Sequence, residues 1–151
     1  MLDTTDKKIL TLLQQDSKQT NKQLSLQLNL SVTAVYERIK KLEKEGIIKK
    51  YVAIIDKNKI GRSFLIFCHI KLLQHSKEFL SNFEQEILKL DEVSECLHVS
   101  GDYDDILKIY VEDMKAYREF MVTKLTTIKH IGSTHSTFTI NEVKNSTEIS
   151  V

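Results

Sequence analysis

The chain has no proline and no tryptophan, and its 151 residues include only four glycines and two cysteines. Two cysteines are too few for a disulfide framework. Neither Cys68 nor Cys96 has a second cysteine or a histidine at metal-ligand spacing, so we predict no metal site. Both lie in apolar, strand-like runs, which favours buried and reduced thiols. The sequence gives no indication of a cofactor.

Long apolar runs and the pattern of a signal peptide are missing as well. No segment approaches the roughly 18 apolar residues that a membrane helix needs, and the first residues lack the regions of a signal peptide. We therefore expect a soluble, cytoplasmic protein without membrane contacts. A length of 151 residues fits one domain of ordinary size or two small ones.

Residue patterns typical of catalysis are also missing. There is no glycine-rich phosphate loop and no G-x-S-x-G elbow. The five histidines have no paired spacing, and His69, His98 and His135 lie in strand-like runs. We therefore predict that the protein is not an enzyme and has no catalytic residues. An enzyme or an enzyme subunit is the alternative.

The sequence does contain a pattern of two short helices and a tight turn in residues 20–48. Thr20 and Gln23 have the spacing of a capping box. Asn29 tolerates the left-handed backbone of a tight turn, and Ser31 is a suitable N-cap for the second helix. This layout is typical of a helix-turn-helix whose second helix enters the DNA major groove. An ordinary helical hairpin with a charged face has the same spacing.

The second helix presents one apolar and one polar face. Its inward positions recur at i, i+4 and i+7, which is the helical period: Val35, Ile39 and Leu42. Its outward positions carry the predicted DNA contacts: Thr33, Tyr36 and Glu37 for base edges, and Lys40, Lys41 and Lys44 for phosphates. Arg38 could contact DNA in either way, or it could be an internal ion-pair partner. Gly46 is placed to end this helix, with Ile47 folding back on Leu42.

The net charge of +1 hides a strong asymmetry. Residues 1–62 hold 13 Lys plus Arg against 7 Asp plus Glu, a net of +6, whereas residues 63–151 hold 9 against 14, a net of −5. A basic segment beside an acidic remainder indicates that one part of the chain meets a polyanion. Together with the helix-turn-helix pattern, the charge favours double-stranded DNA as the partner.

The boundaries of the parts follow from the flanking segments. Asp3 can cap a first helix, which would complete a three-helix domain over residues 1–48. The extended run IIKKYVAIID follows as a wing beside the DNA or as a connector strand, within a linker of residues 49–62. A turn at residues 58–61 then leads into a second domain, residues 63–151.

The second domain alternates between strand and helix periods in the order βαββαβ, which is the ferredoxin-like arrangement of an α+β fold. Its predicted strands and helices are Phe64–Leu72, Phe79–Ile87, Glu92–Val99, Ile106–Val111, Met114–Leu125 and Thr134–Val143. Right-handed crossovers place both helices on one sheet face. The other face is then bare in a monomer, and Leu65, Phe67 and Ile106 are expected to point there. A second subunit should bury this face.

The polar turn SGDYDD connects the two middle strands. A turn centred on Gly101 can direct backbone N–H groups at an α-carboxylate, and Asp102 or Asp104 can pair with an α-ammonium. Thr134 and Ser136 lie two residues apart on a strand, so they point to the same side. The composition also fully allows a polar hairpin turn that binds no ligand.

The blocks LDTTDKKIL, LSVTAVYERIKKLEKEGIIKKY, VSGDYDDILKIYV and STHSTFTINEVK together resemble the Lrp/AsnC, or feast/famine, transcriptional regulators from Leu2 to about Val143. The resemblance implies a winged helix-turn-helix joined to an amino-acid-sensing domain, in dimers that pair through their sheets and commonly form octamers. It also implies an effector, usually an amino acid, at the interface between dimers. By position, the implied effector residues are Gly101, Asp102, Tyr103, Asp104, Thr134 and Ser136.

Two functions remain after this comparison. The resemblance implies a DNA-binding regulator that responds to an amino acid or a similar small effector. An architectural DNA-binding protein of the same fold would not respond to any effector. Ser136 stands where the family more often has Thr, and this departure touches the implied effector site.

Overall fold

The computed structural model describes residues 2–151, which divide into two compact units. The first unit contains the residues up to Ile54 together with Val143–Val151, and the second contains Ile55–Glu142. The chain therefore passes from one unit to the other twice. The Gln14 side chain fixes the C-terminal segment within the first unit, since its amide donates to the Ile149 carbonyl (3.0 Å) and its oxygen accepts from the Ile149 N–H (2.7 Å).

The first unit contains three helices: α1 (Thr4–Gln15), α2 (Asn21–Leu28) and α3 (Val32–Lys44). They enclose one apolar core, because each helix has its apolar residues on one face. The buried side chains of this core are Ile9, Leu10, Leu24, Val35, Ile39 and Leu42. The three inward positions predicted on α3 are thus confirmed.

Side chains at the helix N-termini define where α1, α2 and α3 begin. Asp3 with Asp6, and Thr20 with Gln23, form reciprocal capping boxes. The Ser31 hydroxyl accepts the Ala34 N–H at the start of α3. These bonds satisfy backbone donors that have no partner inside the helix. Between α2 and α3, Asn29 adopts the left-handed conformation with φ 55°, as the turn pattern predicts.

Gly46 ends α3 in the predicted way, with φ +70°. The Gly46 N–H donates to the Glu43 carbonyl and the Ile47 N–H to the Leu42 carbonyl, both at 3.0 Å. A residue with a Cβ atom pays a steric cost in this conformation, so glycine is favoured here. One detail of the prediction was wrong: the Ile48 side chain packs against the core, and Ile47 is exposed.

The extended run after α3 forms neither a wing strand nor a connector strand within this chain. No strand lies between residues 45 and 63. A strand needs a neighbouring backbone to accept and donate its hydrogen bonds, and among residues 2–151 no second strand pairs with this run. Several of its large apolar side chains are exposed: Tyr51, Val52, Ile54 and Ile55.

The second unit has the predicted βαββαβ order. Its elements are β1 (Phe64–Leu72), α4 (Lys77–Ile87), β2 (Val93–His98), β3 (Asp105–Val111), α5 (Met114–Thr123) and β4 (Ile131–Phe138), with a 3₁₀ turn at Leu125–Thr127. The strands form one antiparallel sheet in the order β2-β3-β1-β4. Each βαβ crossover therefore spans one intervening strand, and the ferredoxin-like prediction is confirmed.

Alternation along the strands separates two sheet faces. One face packs on the helices and forms a core that includes Ile66, Cys68, Ile70, Leu107 and Ile109. The face without helices, hereafter the open face, carries these alternate residues: Leu65, Phe67, His69, Ile106, Lys108, Tyr110, His135 and Thr137.

Leu65 differs from the expected exposure of the open face, because it is already buried within the single chain. It pairs with Tyr110 on β3, and the Lys57 ammonium lies 5.4 Å from the Tyr110 ring centroid. Lys57 also forms an ion pair with Glu142. Residues flanking the sheet thus cover this end of the open face, whereas Phe67 and Ile106 remain partly exposed.

The last strand begins and ends earlier than the predicted Thr134–Val143. Its pairing with β1 starts at Ile131 beside Leu72 and ends at Phe138 beside Ile66. Gly132 therefore lies within β4 and not before it. A Cβ atom on Gly132 would lie 3.2 Å from the Lys71 carbonyl oxygen, so glycine allows the backbones to approach closely where the register shifts.

The two cysteines differ from each other. Cys68 is buried in the sheet core, as predicted, but Cys96 is exposed. Cys96 lies on β2, which is an edge strand of the sheet. An apolar run on an edge strand is covered less than the same run on a central strand, and the sequence does not reveal which strand is at the edge.

Candidate functional site

The polar face of α3 is exposed in the first unit. Six of the residues predicted to contact DNA lie on this face: Thr33, Tyr36, Glu37, Lys40, Lys41 and Lys44. The seventh, Arg38, differs from them. Lys40 pairs with Glu43 at 2.8 Å and Lys41 with Glu45 at 3.9 Å. The Glu43 hydrogen bond raises the pKa of Lys40. Exposed pairs of this kind contribute little stability, so a phosphate can replace the carboxylate.

Arg38 is an internal ion-pair partner, which is one of the roles that the sequence left open. Its Nη1 donates to Asp3 Oδ2 and to Asp6 Oδ1, both at 2.6 Å. Hydrogen bonds from Asp3 and Asp6 raise the pKa of Arg38. The pKa of Asp3 is lowered by the Asp6 backbone N–H and by Arg38. Arg38 therefore connects α3 to the N-terminus of α1 instead of pointing outward with the lysines.

In the second unit, the turn of residues 100–105 is fixed by the Asp104 carboxylate. Its Oδ2 accepts the Leu72 N–H at 2.7 Å, and its Oδ1 lies 2.6 Å from His75 Nε2. The Asp104 N–H donates to the Ile70 carbonyl at 2.9 Å. The Leu72 N–H, followed by His75, lowers the pKa of this carboxyl. Asp104 thus joins the turn to the end of β1, as the hairpin interpretation expects.

Gly101 and Asp102 are exposed in this turn, as is Ser100 before them. Gly101 has φ +124°, a conformation that L-residues rarely adopt. Within residues 2–151 the Asp102 carboxylate has neither a hydrogen-bond partner nor a cation within ion-pair distance. Asp102 and Asp104 were both predicted to pair with an α-ammonium group. Within residues 2–151 the Asp104 carboxylate already has partners, so Asp102 is the one whose carboxylate can accept a new partner.

Tyr103 packs against two histidines on the open face. Its ring centroid lies 5.0 Å from that of His69 and 6.1 Å from that of His135. The two histidines are direct cross-strand partners, with centroids 6.0 Å apart. Sequence reasoning missed this cluster, because His69 and His135 are far apart in the chain. Only the strand register brings them together.

Thr134 and Ser136 alternate with His135 on β4, so their side chains point to the helix side of the sheet. They share one side, as predicted. The Ser136 hydroxyl lies 2.5 Å from the Tyr117 hydroxyl of α5. The six predicted effector residues therefore do not form one pocket in a single chain, since Tyr103 and Ser136 lie on opposite sheet faces.

Asp105, the last residue of the turn and the first of β3, is buried on the helix side. Its Oδ1 lies 3.2 Å from His98 Nδ1, while Oδ2 is buried without a partner in the described part of the chain. Burial raises the pKa of this carboxyl, and the His98 hydrogen bond partly offsets that effect. The sequence did not single out Asp105, although an acidic residue inside an apolar strand pattern is a usable signal.

Within residues 2–151, no cluster of three or more His, Cys, Asp or Glu side chains has the geometry to hold a metal ion. None of the helices in this part of the chain is both long and apolar enough to cross a membrane.

Two protein-family models match this chain. One, described as a winged helix-turn-helix DNA-binding domain, matches residues 2–49, and the other, the Lrp/AsnC ligand binding domain, matches residues 65–149. The fold and these matches define a DNA-binding regulator that carries a ligand-binding domain. The chain belongs to the Lrp/AsnC family of transcriptional regulators, which confirms the resemblance and the prediction that it is not an enzyme.

Known relatives extend over nearly the whole chain. The leucine-responsive regulatory protein of Escherichia coli K12 is 35% identical over 148 residues, which cover 98% of this chain and 90% of that protein. A transcriptional regulator of Neisseria meningitidis, solved in complex with L-Met, has a TM-score of 0.95 at 29% identity, covering 99% of this chain and 96% of the other. An AsnC family regulator from Agrobacterium tumefaciens has a TM-score of 0.94 at 34% identity, covering 98% and 96%.

Proposed function

We propose that this regulator changes its DNA binding in response to an amino acid or a similar small effector. The observation that carries the proposal is the combination, in one chain, of an exposed basic recognition helix and a ligand-binding domain whose turn presents Gly101 and Asp102 to solvent. The relative from Neisseria meningitidis, which was solved with L-Met, supports an amino acid as the effector.

The proposed DNA contacts are those of the outward face of α3. Thr33, Tyr36 and Glu37 would contact base edges in the major groove, where hydrogen-bond patterns differ between base pairs. Lys40, Lys41 and Lys44 would contact phosphates, which position the protein without reading sequence. Arg38 would act indirectly, by holding α3 against Asp3 and Asp6.

The proposed effector site needs more than one subunit. Gly101, Asp102 and Tyr103 of one chain would receive the effector backbone, with Asp102 pairing with its ammonium group. Thr134 and Ser136 would complete the pocket from a neighbouring subunit, since within one chain they lie on the other side of the sheet from Tyr103. Asp104 would shape the turn through Leu72 and His75.

The proposed function also includes assembly through the open face of the sheet. Phe67 and Ile106 on the open face support dimers that pair through their sheets, because a monomer leaves these side chains partly exposed. Further assembly of dimers, up to an octamer, would create the subunit boundaries at which the effector binds. A regulator that binds double-stranded DNA would work in the cytoplasm.

A second candidate is an architectural DNA-binding protein that responds to no effector. Specific observations favour it: both Asp104 oxygens have partners within the chain, and Ser136 already bonds to Tyr117. Two of the six proposed effector residues thus have structural roles within the single chain.

A thermal-shift screen of the twenty amino acids separates the two candidates. A ligand that binds only the folded state raises Tm, by an amount that grows with its concentration. DNA titrations with and without the best binder then test the response. A reproducible shift with a changed DNA affinity supports the regulator; salt-dependent DNA binding that no amino acid alters supports the architectural protein.

A further inference from the structure

Two histidines lie directly opposite each other on the open face of the sheet. His69 of β1 pairs in register with His135 of β4, and their ring centroids are 6.0 Å apart. In the other direction across the sheet, His69 pairs with Ile106 of β3. His69 is partly buried and His135 is exposed in the single chain. Two imidazoles thus share one small area of the face.

The surroundings of this pair are mostly apolar or aromatic. Tyr103 packs against both rings, and Phe67 and Thr137 are the next cross-strand pair on the same face. The charged groups on the face are Lys71, Lys108 and Glu95, with Lys57 and Glu142 at its covered end. Glu95 is paired with Lys108 at 2.8 Å, and Glu142 with Lys57. Among residues 2–151, no carboxylate lies within ion-pair distance of either His69 or His135.

A second copy of this chain is the occupant that we assign to this face, which rests on the dimer of the proposed function. Burial between two copies would remove both imidazoles of each chain from water, and no carboxylate of residues 2–151 of the same chain pairs with either ring. A buried charge without a partner is costly. Histidine is the side chain that gains its charge between about pH 5 and 8.

We propose that the His69–His135 pair makes assembly through the open face sensitive to acid. In their uncharged form the rings can be buried with Tyr103, Phe67 and Ile106. Protonation of both rings would place two positive charges 6.0 Å apart in each chain. These charges repel each other and must remain hydrated, so the copies separate. Because Tyr103 belongs to the turn of residues 100–105, the same event reaches the proposed effector site.

Sedimentation of the full chain at pH 8 and at pH 5.5 tests this inference. The dissociation constant should rise at least tenfold on acidification, and the slope of its logarithm against pH should indicate an uptake of about two to four protons for each dimer that dissociates. The double variant His69→Gln, His135→Gln should remain assembled at pH 5.5, because glutamine does not ionise. His98→Gln is the matched control, since His98 lies on the helix side beside Asp105, and it should dissociate like the wild type.

The outcomes distinguish this inference from the proposed function. A dimer with the same dissociation constant at both pH values, or a double variant that dissociates like the wild type, would overturn the histidine mechanism and leave the dimer intact. A monomer at both pH values would overturn the dimer and the inference together. Circular dichroism at pH 5.5 shows whether the separated chains remain folded; unfolding in place of dissociation would also refute the inference.

Discussion

At the scale of single residues, the acidic side chains around the turn have different tasks. Within residues 2–151, Asp104 has two partners, Asp102 has none, and Asp105 is buried with one oxygen unsatisfied. These environments lower the pKa of Asp104 and raise that of Asp105. Three carboxyls in one short segment thus differ: Asp104 holds the turn in place, Asp102 is accessible to solvent, and Asp105 is buried. Each difference can be measured.

Asp104→Ala and Asp102→Ala form the first matched pair. Removing Asp104 leaves the Leu72 N–H without its acceptor, so we expect a loss of about 1 kcal/mol in the free energy of unfolding at pH 7. Because the folded pKa of Asp104 is lowered, its contribution is present above the ordinary value of 3.8 and is lost as pH falls through the lowered value. Asp102→Ala should keep the wild-type stability and abolish the thermal shift by the effector. Urea unfolding and thermal shift measure both, and an unaltered stability of Asp104→Ala would contradict the structural role.

Asp105→Asn tests whether the buried carboxylate of Asp105 lowers the stability of the folded protein. Its folded pKa is raised above the ordinary value of 3.8 by burial, so its favourable contribution exists below that value and is lost as pH rises through the raised value. At pH 7 the charged form therefore costs stability, and the isosteric variant should be more stable by about 1 kcal/mol. The gain should shrink toward zero as pH falls below 4. Urea unfolding at pH 7 and pH 3.5 checks this; a variant less stable than wild type at pH 7 would refute the assignment.

At the scale of secondary-structure elements, α3 combines an inward apolar face, an ion pair to α1 and an outward basic face. Val35, Ile39 and Leu42 fix its rotation about its own axis. That rotation exposes Lys40, Lys41 and Lys44, while Arg38 is turned toward α1. One period of about 3.6 residues thus determines both the packing and the proposed DNA contacts.

Lys40→Ala and Lys41→Ala should weaken binding to all DNA sequences similarly. Each removes one proposed phosphate contact, so the slope of log K against log salt should fall in magnitude by about one unit. Lys89→Ala is a suitable control, because Lys89 pairs with Glu86 at i,i+3 as Lys40 pairs with Glu43, but lies in the second unit. Fluorescence anisotropy at several salt concentrations measures the slopes. Variants whose slopes equal that of the control would show that this face does not bind phosphates.

At the scale of the whole molecule, each of the two units has a core of its own. The second unit leaves one sheet face without helices, and its chain boundaries are Ile55 and Glu142. The Lys57–Glu142 ion pair joins the two ends of this unit, so a fragment with these boundaries retains it.

The fragment of residues 55–142 should form dimers by itself. Pairing through the open face buries Phe67 and Ile106, which a monomer would leave partly exposed. Phe67→Lys should give a folded monomer, because it places a charge on the open face, within the proposed interface. Val122→Lys, on an exposed position of α5, should remain dimeric. Sedimentation at about 100 μM decides this, and a wild-type fragment that is monomeric there would exclude the open face as the interface.

The sequence by itself determined the elements whose information is local. Capping residues, the period of Val35, Ile39 and Leu42, and the glycine after α3 act within a few positions of the chain. Alternation and helical periods likewise gave the βαββαβ order, and the combination of motifs gave the family.

Only the tertiary structure decided properties that depend on which strands become neighbours. The register of β1 with β4 places His69 beside His135 and shortens β4 at Phe138. The position of β2 at the edge leaves Cys96 exposed. At the end of β1, the Leu72 N–H donates a hydrogen bond to the Asp104 carboxylate. These contacts join residues distant in the chain, and their geometry follows from the packing of the whole sheet, which no local pattern contains.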